Sequence, residues 1–122
     1  MTEGVSQERD PSFPFLAHEK PRPGQIEMIQ ESREALRKNG HHLAAAPTGI
    51  GKTAASLAAA LEIAQKSSAS CKILFLTGRQ SQHHIVIETV RSINSRLHEG
   101  QRPVKVADII GRKSMCRDVD VL

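Results

Sequence analysis

The sequence predicts an α/β domain built as a parallel sheet with helices on both faces. Three observations predict it. Short apolar runs at 43–46, 72–77 and 103–110 alternate with stretches of helical period, which is the β-α-β-α-β order of that class. The second run is continuously apolar, as strands covered on both faces are. A glycine-rich turn, residues 46–53, sits where the first run gives way to a helix. Strand, crossover and parallel strand then join by right-handed connections.

The first twelve residues are polar and end at Asp10-Pro11, so residues 1–12 are expected to be a flexible tail and order to begin at Phe13. Phe13-Pro14-Phe15 is followed by Lys20-Pro21-Arg22-Pro23-Gly24, where the prolines fix φ and keep their neighbours extended. From Gln25 to Lys38, Ile26, Met28, Ile29 and Leu36 fall near one face of a 3.6-residue period, and Asn39-Gly40 supplies a left-handed stop. A helix is expected there.

Leu43-Ala44-Ala45-Ala46 is too short for a helix and reads as a buried strand. The helix from about Lys52 runs through the Ala- and Leu-rich stretch 54–64, apolar nearly all round, as suits a helix wedged between other elements. Ser67-Ser68-Ala69-Ser70 breaks it, and 72–77 reads as the second strand. Cys71, just ahead of that strand, is expected to be buried or half-buried. Val86, Val90, Ile93 and Leu97 then form the stripe of a third helix that ends by Gly100. The third strand is expected at 103–110, followed by a basic loop from Gly111 to Arg117. Three parallel strands leave two open edges. The sequence is therefore expected to be part of a larger α/β domain, with residues 13–122 as one piece of it.

Composition narrows the function. The 122 residues (13.4 kDa) are 39% hydrophobic and 25% charged, which suits one compact domain and excludes a two-domain enzyme. Seventeen basic and thirteen acidic residues give a net charge of +4, and the excess lies after residue 40, a modest pointer to a phosphate-bearing partner. With Trp and Tyr absent, any base stacking falls to Phe13, Phe15 or Phe75. No apolar run approaches the roughly 20 residues of a membrane span, and the acidic N-terminus does not read as a leader. A soluble, cytoplasmic protein without a membrane partner is expected. Cys71 and Cys116 form neither a disulfide framework nor a metal motif by themselves. The pairs His41-His42 and His83-His84 put adjacent side chains on different faces, which disfavours a metal site.

Ala46-Pro47-Thr48-Gly49-Ile50-Gly51-Lys52-Thr53 carries the chemistry. Triphosphate oxygens need several N–H donors converging on one point. Glycines let the backbone curl tightly, and a following helix aims its positive end at the anion. Thr48, Gly49, Ile50 and Gly51 are expected to cradle the phosphates. Lys52 is expected to reach the β- and γ-phosphates of ATP, and Thr53 to offer its hydroxyl to Mg²⁺. The motif is the relaxed Walker A form, with Ala46 in place of the first glycine.

Arg22-Pro23-Gly24-Gln25 ahead of a helix, the 46–53 loop, Thr77-Gly78-Arg79-Gln80-Ser81-Gln82, and Gly111-Arg112-Lys113-Ser114-Met115-Cys116 together resemble the XPD family of iron–sulfur superfamily 2 DNA helicases. The resemblance implies a partial RecA-like P-loop NTPase domain, the N-terminal part of the ATP-binding domain of an ATP-dependent DNA helicase. It implies that Gln25 reads the adenine edge and that Phe13 or Phe15 packs on the ring, although lone core packing is an equal reading for the phenylalanines. It implies that Thr77, Arg79, Arg112 and Lys113 meet single-stranded DNA; an ordinary helix N-cap by Thr77 or Ser81 is the plainer alternative. It implies that Cys116 corresponds to the first of four ligands of a 4Fe–4S cluster, which one thiolate cannot hold.

The family's Asp-Glu-Ala-His type box and its second motor domain are absent from the sequence. Asp108 is a poor stand-in for the acid, so the chain is expected to bind ATP without unwinding DNA alone. Two other readings stay open: a small P-loop nucleotide kinase, and a non-catalytic nucleotide-binding or assembly module.

Overall fold

The computed structural model describes residues 13–111. The expected tail, residues 1–12, and Arg112, Lys113 and Cys116 lie outside the described residues.

Local sequence forms three helices, α1 (Gln25–Arg37), α2 (Lys52–Lys66) and α3 (Ser81–Ser95). Helices α1 and α3 were legible from their period and α2 from its Ala- and Leu-rich composition. Helix α1 stops as expected: Asn39 takes the left-handed conformation at φ 55°, and Gly40 N–H donates back to the Ala35 carbonyl at 2.8 Å, closing the last turn.

Helix α2 is the middle layer. On one side Ala55, Ala58 and Ala59 pack with Ile29 of α1 and with Phe13 and Leu16. On the other, Ala54, Leu57 and Leu61 pack with Val86, Val90 and Ile93 of α3 and with Phe15 and Ala17. The apolar content of α2 all round is thereby used twice, and its small alanines let α1 approach closely. Residues 13–17 feed both clusters, so the Phe13-Pro14-Phe15 segment belongs to the core. Its phenylalanines are core residues, Phe13 at 7% and Phe15 at 6% exposure.

A buried charge pair fastens α1 to α2. Glu62 is 6% exposed; its Oε2 lies 2.7 Å from Arg33 Nε in an ion pair, and its Oε1 accepts a hydrogen bond from Lys66 Nζ at 2.8 Å. The Arg33 guanidinium also lies 5.0 Å from the centroid of the Phe13 ring, within cation–π range.

The predicted fold class requires correction. Among the described residues there is no strand and therefore no parallel sheet; the structure is three helices joined by irregular segments. An apolar run reports that side chains avoid water, whereas a strand exists only when its backbone groups pair with a neighbour. No such ladder forms at 43–46, 72–77 or 103–110. Leu43, Leu74, Leu76 and Ile109 stay 77–98% exposed. In the third run the pairing is taken over by a side chain: Asn94 of α3 donates Nδ2 to the Val104 carbonyl at 2.9 Å and accepts Val104 N–H on Oδ1 at 2.8 Å. Cys71 differs likewise from expectation, being free and exposed because the run it precedes is not covered.

Candidate functional site

The 46–53 loop leads directly into α2. Gly51 is the N-cap of that helix at φ 82°, and no side chain caps the first turn, so the leading N–H groups of α2 are left for another acceptor. Gly49 stands at φ 92°. Both values lie in the left-handed region that L side chains avoid. At Gly49 conformation alone demands glycine, since an added Cβ meets nothing within 4 Å. At Gly51 space demands it too: a Cβ there falls 2.3 Å from Gln25 Nε2.

Lys52 is exposed and folds back over the loop, donating Nζ to the Ala46 carbonyl at 2.9 Å. Thr53 is half-buried in the first turn of α2, and Thr48 is exposed on the loop. A cavity of about 340 Å³ opens beside the loop, walled by Gly24, Glu27, Met28, His42, Pro47 and Ile50, in the size range of small-ligand sites. His42 fixes the entry to the loop against α1, its Nδ1 2.7 Å from Ser32 Oγ and its Nε2 3.2 Å from Glu31 Oε2.

Gln25, at the start of α1, is fully buried. Its Oε1 accepts Arg22 N–H at 2.8 Å, and its Nε2 donates to the Gly51 carbonyl at 3.0 Å. The Arg22 guanidinium reaches the Gly49 carbonyl at 3.4 Å. The structure thus joins Arg22, Gln25, Gly49 and Gly51 into one cluster. Sequence reasoning missed this tie to Arg22; the only signal was that the two stretches are rich in conformationally restricted residues.

Thr77 and Arg79 lie in the turn before α3. The Thr77 hydroxyl donates to the Arg79 carbonyl at 3.2 Å, and α3 has no side-chain cap. Arg79 is exposed. Asp108 is paired with His83, Nδ1 to Oδ1 2.6 Å, on the wall of a separate cavity of about 390 Å³ that includes no residue of the 46–53 loop. No group of three or more His, Cys, Asp or Glu residues able to hold a metal occurs among the described residues. No helix there is long and apolar enough to cross a membrane.

Residues 18–115 match the model of a family of helicase-like superfamily 2 domains. The family is the type III restriction enzyme, res subunit, and the chain belongs to it. The match is to the helicase superfamily and does not single out the XPD type. At the level of the family, ATP and Mg²⁺ use and nucleic-acid binding go with the domain. No curated protein matches the chain, and no solved structure does.

Proposed function

We propose that this chain is the ATP-binding portion of an ATP-dependent, helicase-like motor, with residues 46–53 holding the triphosphate. The observation that carries the reading is the loop backbone: two left-handed glycines bracket Ile50 at the uncapped N-terminus of α2. Amides of Gly49, Ile50, Gly51 and Lys52 are the donors such a turn offers an anion. Lys52 leaves the Ala46 carbonyl and places its charge on the β- and γ-phosphates. Thr53 supplies a hydroxyl ligand to Mg²⁺, which when bound neutralises the phosphate oxygens. The neighbouring cavity, which shares Pro47 and Ile50 with the loop, gives the rest of the nucleotide room.

Thr77 and Arg79, with Arg112 and Lys113 beyond the described residues, contact the backbone of single-stranded DNA in this reading, positioning it without reading bases. The finer assignment, a motor of the XPD type, is supported by the order of the four short motifs from Arg22 to Cys116.

The test is equilibrium binding of labelled ATP with Mg²⁺ to the wild-type chain and to Lys52→Ala. Loss of the lysine should weaken binding at least about tenfold, the value of one charge-assisted hydrogen bond. Equal binding by the two proteins removes the assignment. For the nucleic acid, single-strand affinity should fall with salt, and a slope of zero would mean that these basic residues neutralise no phosphate.

A further inference from the structure

The contacts between the start of α1 and the loop act on particular peptide planes. Gly51 carbonyl accepts the first helical bond of α2, from Ala55 N–H at 3.1 Å, and its second lone pair takes Gln25 Nε2 at 3.0 Å. Gly49 carbonyl takes the Arg22 guanidinium. In a trans peptide the carbonyl and the following N–H point in opposite directions. Holding the Gly49 and Gly51 carbonyls toward α1 therefore aims the Ile50 and Lys52 N–H groups away from it. The amide that holds the Gly51 carbonyl, and with it the Lys52 N–H, is fully buried and locked at its other end by Arg22 N–H. The space it fills is reserved by the missing side chain of Gly51.

We propose that Gln25 is a positioning residue for the phosphate loop: the juxtaposition of its buried amide with the Gly51 carbonyl sets the direction of the phosphate-facing Lys52 N–H. The inference rests on the loop holding a polyphosphate. Its consequence is that Gln25 controls affinity for the polyphosphate tail whether or not a base is attached. A residue that only read the base would leave that affinity untouched.

Binding of Mg·ATP and of inorganic tripolyphosphate is compared for wild type, Gln25→Glu and Gly51→Ala. Gln25→Glu keeps the acceptor for Arg22 N–H but loses the donor to Gly51, and Gly51→Ala displaces the same amide from the opposite side. Each variant should weaken both ligands by a similar factor, about tenfold or more. Weakened ATP binding with unchanged tripolyphosphate binding overturns the proposal. A ligand-free arm reads the same contact directly: the ¹⁵N order parameter of the Lys52 amide should fall from about 0.85, typical of rigid backbone, to below about 0.6 in Gln25→Glu. An unchanged order parameter overturns the proposal. Failure of the wild type to bind either ligand would instead sink the phosphate-loop reading, while the order parameter still decides the role of Gln25.

Discussion

Replacing Glu62 by alanine should cost more stability than any surface change in this chain. Its carboxylate is 6% exposed and serves Arg33, whose side chain is 15% exposed, and Lys66, which is 61% exposed. The Lys66 contact is an i,i+4 pair reaching solvent, worth about 0.3–0.5 kcal/mol. The Arg33 contact is different in kind. Removing one member of a buried pair costs about 3–5 kcal/mol. Residual water access at Arg33 and its contact with the Phe13 ring place the expected loss near the lower end, about 3 kcal/mol. A small domain holds only about 5–15 kcal/mol in all. With a urea slope of about 2 kcal/mol per molar, the midpoint should drop by roughly 1.5 M. Urea unfolding followed by far-ultraviolet circular dichroism measures it. The double variant Arg33→Met with Glu62→Leu should recover most of the loss, because two apolar side chains can replace a desolvated pair. A Glu62→Ala loss below about 1 kcal/mol, or a Lys66→Ala loss as large as that of Glu62→Ala, would refute the claim that the Arg33 pair fastens α1 to α2.

Two further outcomes follow from contacts elsewhere. Asn94→Ala removes both bonds to the Val104 backbone and should cost about 1–3 kcal/mol; hydrogen exchange at the Val104 amide should speed up, and retained protection would contradict the pairing. Burial, aided by the positive fields of Arg22 and Arg96, holds His18 below its ordinary value of 6.5. The unfolded chain then binds more protons than the folded one just below that value, so stability should fall as pH drops through about 6.5. Urea midpoints at successive pH values should show a shallower acid-side decline in His18→Gln than in wild type, and identical profiles would contradict this.

The helices were readable because their bonds are local: the stripes at Ile29 and at Val86, Val90 and Ile93 carry the period within each segment. The stop at Asn39-Gly40 was readable for the same reason. Runs such as Leu74 to Leu76 were misread because a strand is decided by a partner, which no local pattern contains. The glycines of the 46–53 loop announced a tight turn, since glycine between a run and a helix lets the backbone curl; that Gly49 and Gly51 are left-handed is visible only in the structure. Arg33 with Glu62 and His83 with Asp108 had no signature, being single contacts across 29 and 25 positions. The tie from Gln25 to Gly51 was hidden for the same reason, although both residues were singled out. The four motifs point to the XPD type, whereas the family match supports the helicase superfamily without singling that type out, because short motifs record what phosphate and nucleic acid require of any such motor.

The central claim is that the turn entering α2 wraps a nucleotide's phosphates. Two-dimensional amide NMR of the labelled chain, titrated with a nonhydrolysable ATP analogue and Mg²⁺, tests it most directly. Saturable shifts concentrated at Gly49, Ile50, Gly51 and Lys52, and abolished in Lys52→Ala, are the predicted result. Spectra in which those four amides stay fixed while the analogue is added in excess would contradict it.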